Sequence, residues 1–177
     1  MKPALLIIDV QTGLFSTVPP PANSDAVIER INQVADRARK NGVPVILIQH
    51  ERAGTAVEYG SAGWQLDQRL KVCASDIKIR KTTPDSFLRT KLQEILALGS
   101  VDHLFICGYA SEFCVDTTVR RGAALGYPIT IVADAHTTQD KPHLSGAAIS
   151  AHHTATLIDI ASFGPEIVAL PAAEIWK

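Results

Sequence analysis

Cys114 stands in "GYASEFCVD" (108–116), where the apolar run "HLFIC" hands over to a helix-like segment. A cysteine in the first turn of a helix meets unpaired backbone N–H groups and the positive end of the helix dipole. Both favour the thiolate, which is the nucleophilic form. The other two cysteines offer less. Cys107 lies inside the strand-like run, where a thiol packs as a small hydrophobe, and Cys73 has no activating neighbour in sequence. A cysteine nucleophile needs a base for its proton, positive charge near the anions it forms, and N–H donors for a developing oxyanion. Asp9 closes the run "ALLIID", as a base or as a carboxylate capping a nearby turn. Lys81 closes "DIKIRK", where Ile77, Ile79 and Lys81 share one face and Lys78 and Arg80 the other. A solvated basic edge strand would show the same pattern. The turn "GYASEFC" can supply the N–H donors.

Elements of the right kind surround these residues. "ALLIID" (4–9), "VPVILIQ" (43–49), "DIKI" (76–79), "HLFIC" (103–107), "PITIVA" (128–133) and "EIVAL" (166–170) read as strands. Most lack polar alternation, as expected of strands covered on both faces. Between them, Ser24 is expected to cap a helix with the stripe Val27, Ile31, Val34 and Ala38, leaving at Gly42. Thr83-Pro84 predicts a helix start for "PDSFLRTKLQEILALG", Ser145 another for "GAAISAHHTATLIDIASFG", and 112–126 a helix of small residues. Strands alternating with helices predict one doubly wound α/β domain over 1–177, with right-handed βαβ crossovers and ligands bound beyond the carboxyl ends of the strands. Residues 50–75 form the one long connection. Its Tyr59 and Trp64 suit a lid or pocket wall, with "WQLDQRL" as a possible short helix.

Composition narrows the function. The chain has 177 residues, a formal charge of −1, 46% hydrophobic and 20% charged residues, so it reads as globular with no basic block for nucleic acid. No run reaches the roughly 18 apolar residues of a membrane helix, and the N-terminus lacks a secretory pattern. Three cysteines without a paired framework fit reduced thiols and a cytoplasmic setting. Among the histidines, His153 falls on the apolar stripe of its helix and suits core or interface. His152 lies off that stripe, and His136 and His143 are assigned to a surface loop after the fifth strand.

"LLIIDVQTGLF", "IRKTTPDSF" and "FICGYASEFCVDTTVRRGAALGYPITIVADA" occur in that order. In this the chain resembles the isochorismatase-like cysteine hydrolases, which include nicotinamidases and related small-amide hydrolases. The resemblance covers nearly the whole chain. It implies a Rossmann-like three-layer αβα domain whose six-stranded, mostly parallel sheet has the order 3-2-1-4-5-6. It also implies Asp9, Lys81 and Cys114 as catalytic residues, and a non-proline cis peptide between Tyr109 and Ala110. That peptide would aim the Ala110 N–H, with that of Cys114, at an oxyanion. Phe15, Trp64, Tyr109 and Phe113 are the expected substrate-binding residues. Metal-binding members carry an aspartate and several histidines after strand 2, where this chain has only His50. No metal or other cofactor is therefore expected. The function implied is hydrolysis of an amide or lactam of a small molecule through a thioester, by a homo-oligomer (dimer or tetramer). A vinyl-ether or other C–O hydrolase, and a non-catalytic ligand-binding module, are the alternatives.

Overall fold

A computed structural model describes all 177 residues. Six strands are formed: β1 (Pro3–Ile8), β2 (Val45–His50), β3 (Ile77–Lys81), β4 (His103–Tyr109), β5 (Ile129–Thr137) and β6 (Ile167–Leu170). They make one all-parallel sheet of order β3-β2-β1-β4-β5-β6. The helices are α1 (Thr12–Phe15), α2 (Ser24–Lys40), α3 (Leu92–Leu98), α4 (Asp116–Ala124) and α5 (Gly146–Ile158), with a π-turn at Ser111–Val115 and a 3-10 turn at Ala172–Glu174.

Two apolar clusters cover the two faces of the sheet, and alternate strand residues divide between them. Leu5, Ile7, Val45, Leu47, Phe105 and Cys107 meet Val27, Ile31, Val34 and Ala38 of α2. Leu6, Ile8, Ile46, Ile48, Leu104 and Ile106 meet α3, α4 and α5 through Leu96, Val119 and Leu157. The unbroken apolar runs therefore mark strands with no solvent face.

Several boundaries differ from expectation. Ser24 is the first residue of α2, and the preceding Asn23 turns the chain at φ 52°. The helix expected from Pro84 begins only at Leu92. Asp85 Oδ1 accepts from the Phe87 and Leu88 N–H groups, holding 84–88 as a side-chain-capped turn, and Arg89 takes φ 59°. Ser145 caps α5 as expected, accepting from the Ala148 N–H at 3.2 Å. His136 belongs to β5, not to a surface loop. It is buried because β5 runs on to Thr137 beneath α5, where Thr154 meets the ring.

The connection 51–76 holds turns in place of the short helix. Leu66 is bridged to Gln11, and the Asp67 N–H donates to the Val10 carbonyl, so its backbone is committed elsewhere. Thr12 and Gly13 donate to the carbonyls of Gln65 and Gly63, pinning the segment over the carboxyl ends of β1 and β2. No helix is long and apolar enough to cross a membrane.

Candidate active site

Strands β1 and β4 lie side by side where the order of the sheet reverses, the position at which doubly wound sheets open a crevice. Asp9 directly follows β1, and its φ of 52° turns the chain out of the sheet while its N–H still donates to the Ile48 carbonyl. β4 ends in Tyr109, and the peptide to Ala110 is cis. The Val115 N–H then reaches back to the Ala110 carbonyl at 3.1 Å, the five-residue step of a π-turn, and Cys114 rides on that turn. Such wide turns are frequent at functional sites.

β3 is two strands away from β1, yet its last residue completes the group. Lys81 is buried, and its Nζ lies 2.7 Å from Asp9 Oδ2 and 3.1 Å from Cys114 Sγ. The inward face expected for Lys81 is the one observed, with Lys78 and Arg80 exposed. Asp9 Oδ1 is buried without a hydrogen-bond partner, an open acceptor beside the thiol. A buried orphan of this kind calls for a functional explanation.

The electrostatics differ from the sequence expectation for Cys114. Burial pushes its thiol up to about 12, and the Asp9 carboxylate adds to this while Lys81 opposes it. Cys114 is the fourth residue of a π-turn with its thiol desolvated, not a solvated first turn of an α-helix, so the thiol keeps its proton at rest. Burial disfavours the Lys81 ammonium, but Asp9 and Cys114 outweigh it and Lys81 stays protonated, its pKa raised. Cys107 is wholly buried, and desolvation raises its pKa strongly, as befits a packing thiol.

Phe15 and Tyr109 pack edge to face at 5.6 Å, and burial pushes the Tyr109 phenol up to about 12. Trp64 sits edge-on to Tyr59 at 4.9 Å, and its carbonyl accepts from the Gln11 and Gln49 amides. Phe113 is exposed, with Lys141 Nζ 5.2 Å from its ring centre. The structure thus gathers Asp9, Lys81 and Cys114 at one point, whereas Trp64 and Phe113 make their contacts with residues outside that trio.

From sequence, His50 is only an incomplete metal set. It closes β2, the strand between β1 and β3, and its Nδ1 lies 3.3 Å from Lys81 Nζ. Gln11 holds its backbone from both sides. Its amide donates to the His50 carbonyl and its oxygen accepts the His50 N–H, both at 2.9 Å. The end-of-strand position shared with Asp9 and Lys81 was the available signal. Ligand atoms of Asp9, His50 and Cys114 lie within 4.8 Å of one another. Lys81 Nζ contacts all three. A divalent ion among these donors would meet an ammonium, so they do not fit a resident metal.

His153 Nδ1 pairs with Asp116 at 3.0 Å, and His152 is exposed. His136 links the π-turn to α5, with Nδ1 2.8 Å from Ser111 Oγ and Nε2 2.9 Å from Thr154 Oγ1. Desolvation pushes its pKa down to about 4.

Known proteins share this architecture. A streptothricin hydrolase of Streptomyces noursei is 34% identical over 140 residues, 78% of this chain and 51% of that protein. The chain therefore spans about half the length of this curated relative. A ureidoacrylate amidohydrolase of Caulobacter segnis is 29% identical over 55% of this chain and 41% of its own. The crystal structure of an isochorismatase from Pseudomonas putida superposes with a TM-score of 0.88 at 30% identity, covering 98% of this chain and 90% of that one. The isochorismatase domain family matches residues 3–162, and with these likenesses the chain belongs to the isochorismatase family.

Proposed function

We propose that the protein, as one domain over 1–177, is a cysteine-dependent hydrolase that cleaves a C–N bond, amide or lactam, of a small molecule. The observation that carries this reading is the Lys81 ammonium 2.7 Å from Asp9 and 3.1 Å from Cys114, with Asp9 Oδ1 left open. Asp9 takes the Cys114 proton as the sulfur attacks the substrate carbonyl, and Lys81 balances the negative charge passing between them. The Ala110 and Cys114 N–H groups receive the oxyanion. Collapse of the adduct breaks the C–N bond, and the departing amine or ammonia takes the proton from Asp9. Water then attacks the thioester and gives a proton to Asp9. Release of the acid frees the thiolate, which recovers that proton. Phe15, Trp64, Tyr109 and Phe113 are assigned to the substrate side of the site.

The names of the Streptomyces and Caulobacter relatives, a hydrolase and an amidohydrolase, agree with this chemistry. The Pseudomonas protein's name favours a second reading, hydrolysis of a vinyl ether. A vinyl ether offers no acyl group to a thiol, so Cys114 weighs against it. Incubation with small primary amides and lactams, acid quenching and intact-mass measurement separates the two. An acyl mass on Cys114 with release of amine or ammonia is expected. Cys114→Ala, Asp9→Asn and Lys81→Met should each lower turnover about 10³-fold or more, without adding when combined. Near-normal turnover by Asp9→Asn would overturn the base assignment. Turnover of an enol ether with no adduct would favour the second reading.

A further inference from the structure

An ammonium carries three N–H donors and no acceptor. For Lys81 the structure provides three partners: Asp9 Oδ2 at 2.7 Å, Cys114 Sγ at 3.1 Å and His50 Nδ1 at 3.3 Å. The first two belong to the proposed mechanism, and the third has no part in it. Facing a donor, His50 Nδ1 has to present its lone pair, so the ring is neutral with its proton on Nε2. The Gln11 clamp fixes the backbone end of the same residue, and Gln11 is itself fully buried.

We propose that His50 is a positioning residue: its Nδ1 accepts one N–H of Lys81 and so directs the other two at Asp9 and Cys114. The inference rests on the functional reading above and extends it to a residue that touches no reacting atom. The groups facing the ring are Asp9 from β1, Lys81 from β3, Cys114 from the π-turn and Arg52 from the chain just past β2. Burial, and then the Lys81 charge, lower the His50 pKa from its ordinary 6.5. The acceptor is therefore available at neutral pH and is lost only on acidification below that lowered value. Protonation would then set two cations 3.3 Å apart.

Two measurements on a Cys73→Ser background test this. In ¹⁵N-histidine spectra, His50 should show the Nε2–H tautomer at pH 7. The iodoacetamide rate at Cys114, followed by peptide mass from pH 4.5 to 8, is then compared among parent, His50→Asn and His50→Leu. At pH 7 the leucine variant should react about tenfold more slowly, the weight of one hydrogen bond to a charged group, and the gap should close as acid protonates the parental ring. Asparagine retains an acceptor that does not titrate. It should keep the parental rate at pH 7 and lose the part of the acid fall that His50 causes. An Nδ1–H tautomer, a folded leucine variant with the parental rate, or an asparagine variant with the full parental acid fall would overturn the proposal. Should the leucine variant not fold, the tautomer and the asparagine profile decide. A parental Cys114 that is never alkylated would instead count against the nucleophile, leaving the tautomer to judge His50 separately.

Discussion

Asp9, Lys81 and Cys114 show how far residue type and parity reach. The inward face of Lys81 was legible because "DIKIRK" alternates cleanly, and the structure buries Ile79 and Lys81 while exposing Lys78 and Arg80. The charge state of Cys114 was not legible. It depends on desolvation and on a carboxylate brought from a strand more than a hundred residues earlier, and those two effects outweigh the lysine. The thiol of the free protein is accordingly a poor nucleophile until substrate contact lets its proton move to Asp9. At pH 7, iodoacetamide should therefore label exposed Cys73 well before Cys114, and Cys107 last. Peptide mass spectrometry over a time course reads the order directly. Labelling of Cys114 first would mean that Lys81 dominates the site and that a thiolate is already present at rest.

At the level of elements, runs without polar alternation were dependable, because β1, β2, β4 and β5 are covered by apolar clusters on both faces, whereas the alternating β3 leaves Lys78 and Arg80 exposed. Local capping signals were less so. Ser145 caps its helix, whereas Thr83-Pro84 opens a turn because Asp85 captures the N–H groups that a first helical turn would leave free. The nearness of His50 to Lys81 was not legible, because it follows from β2 lying between β1 and β3, a matter of strand order. The close approach of β4 to β1 is another such feature. Gly108 has φ +120°, and a Cβ there would lie 2.1 Å from the Ile8 carbonyl oxygen. Gly108→Ala should destabilise the protein by about 3 kcal/mol, combining overpacking with an unfavourable backbone angle. Gly126 also has positive φ, +95°, but opens on empty space, so Gly126→Ala should cost only about 1 kcal/mol. Urea denaturation of both variants isolates the contact. Equal losses would mean that backbone angle alone matters at Gly108.

For the whole molecule, the doubly wound architecture could be read from the alternation of strands and helices, and the strand order from the family resemblance. That order sets Asp9 and the β4 turn side by side, with Lys81 reaching over β2. The depth of the polar residues came only with packing. His136 looked like loop and is 4% exposed, joining the π-turn under Cys114 to α5 through Ser111 and Thr154. Its place has a consequence for the stability of the entire fold. The folded pKa, about 4, lies below the ordinary 6.5, so between these values the unfolded chain binds a proton that the folded chain refuses. Stability from this group is complete above pH 6.5 and declines as pH falls toward 4, by roughly 3 kcal/mol in all. Burial lowers the pKa values of His50 and His103 as well, so both act in the same direction. Urea midpoints taken from pH 7.5 to 4 should fall with acid across that window. His136→Gln, which has no proton to take up, should start less stable at pH 7.5 but decline less steeply. Parallel curves for the two proteins would show that His136 is already protonated in the fold, and that its bonds to Ser111 and Thr154 do not require the neutral ring.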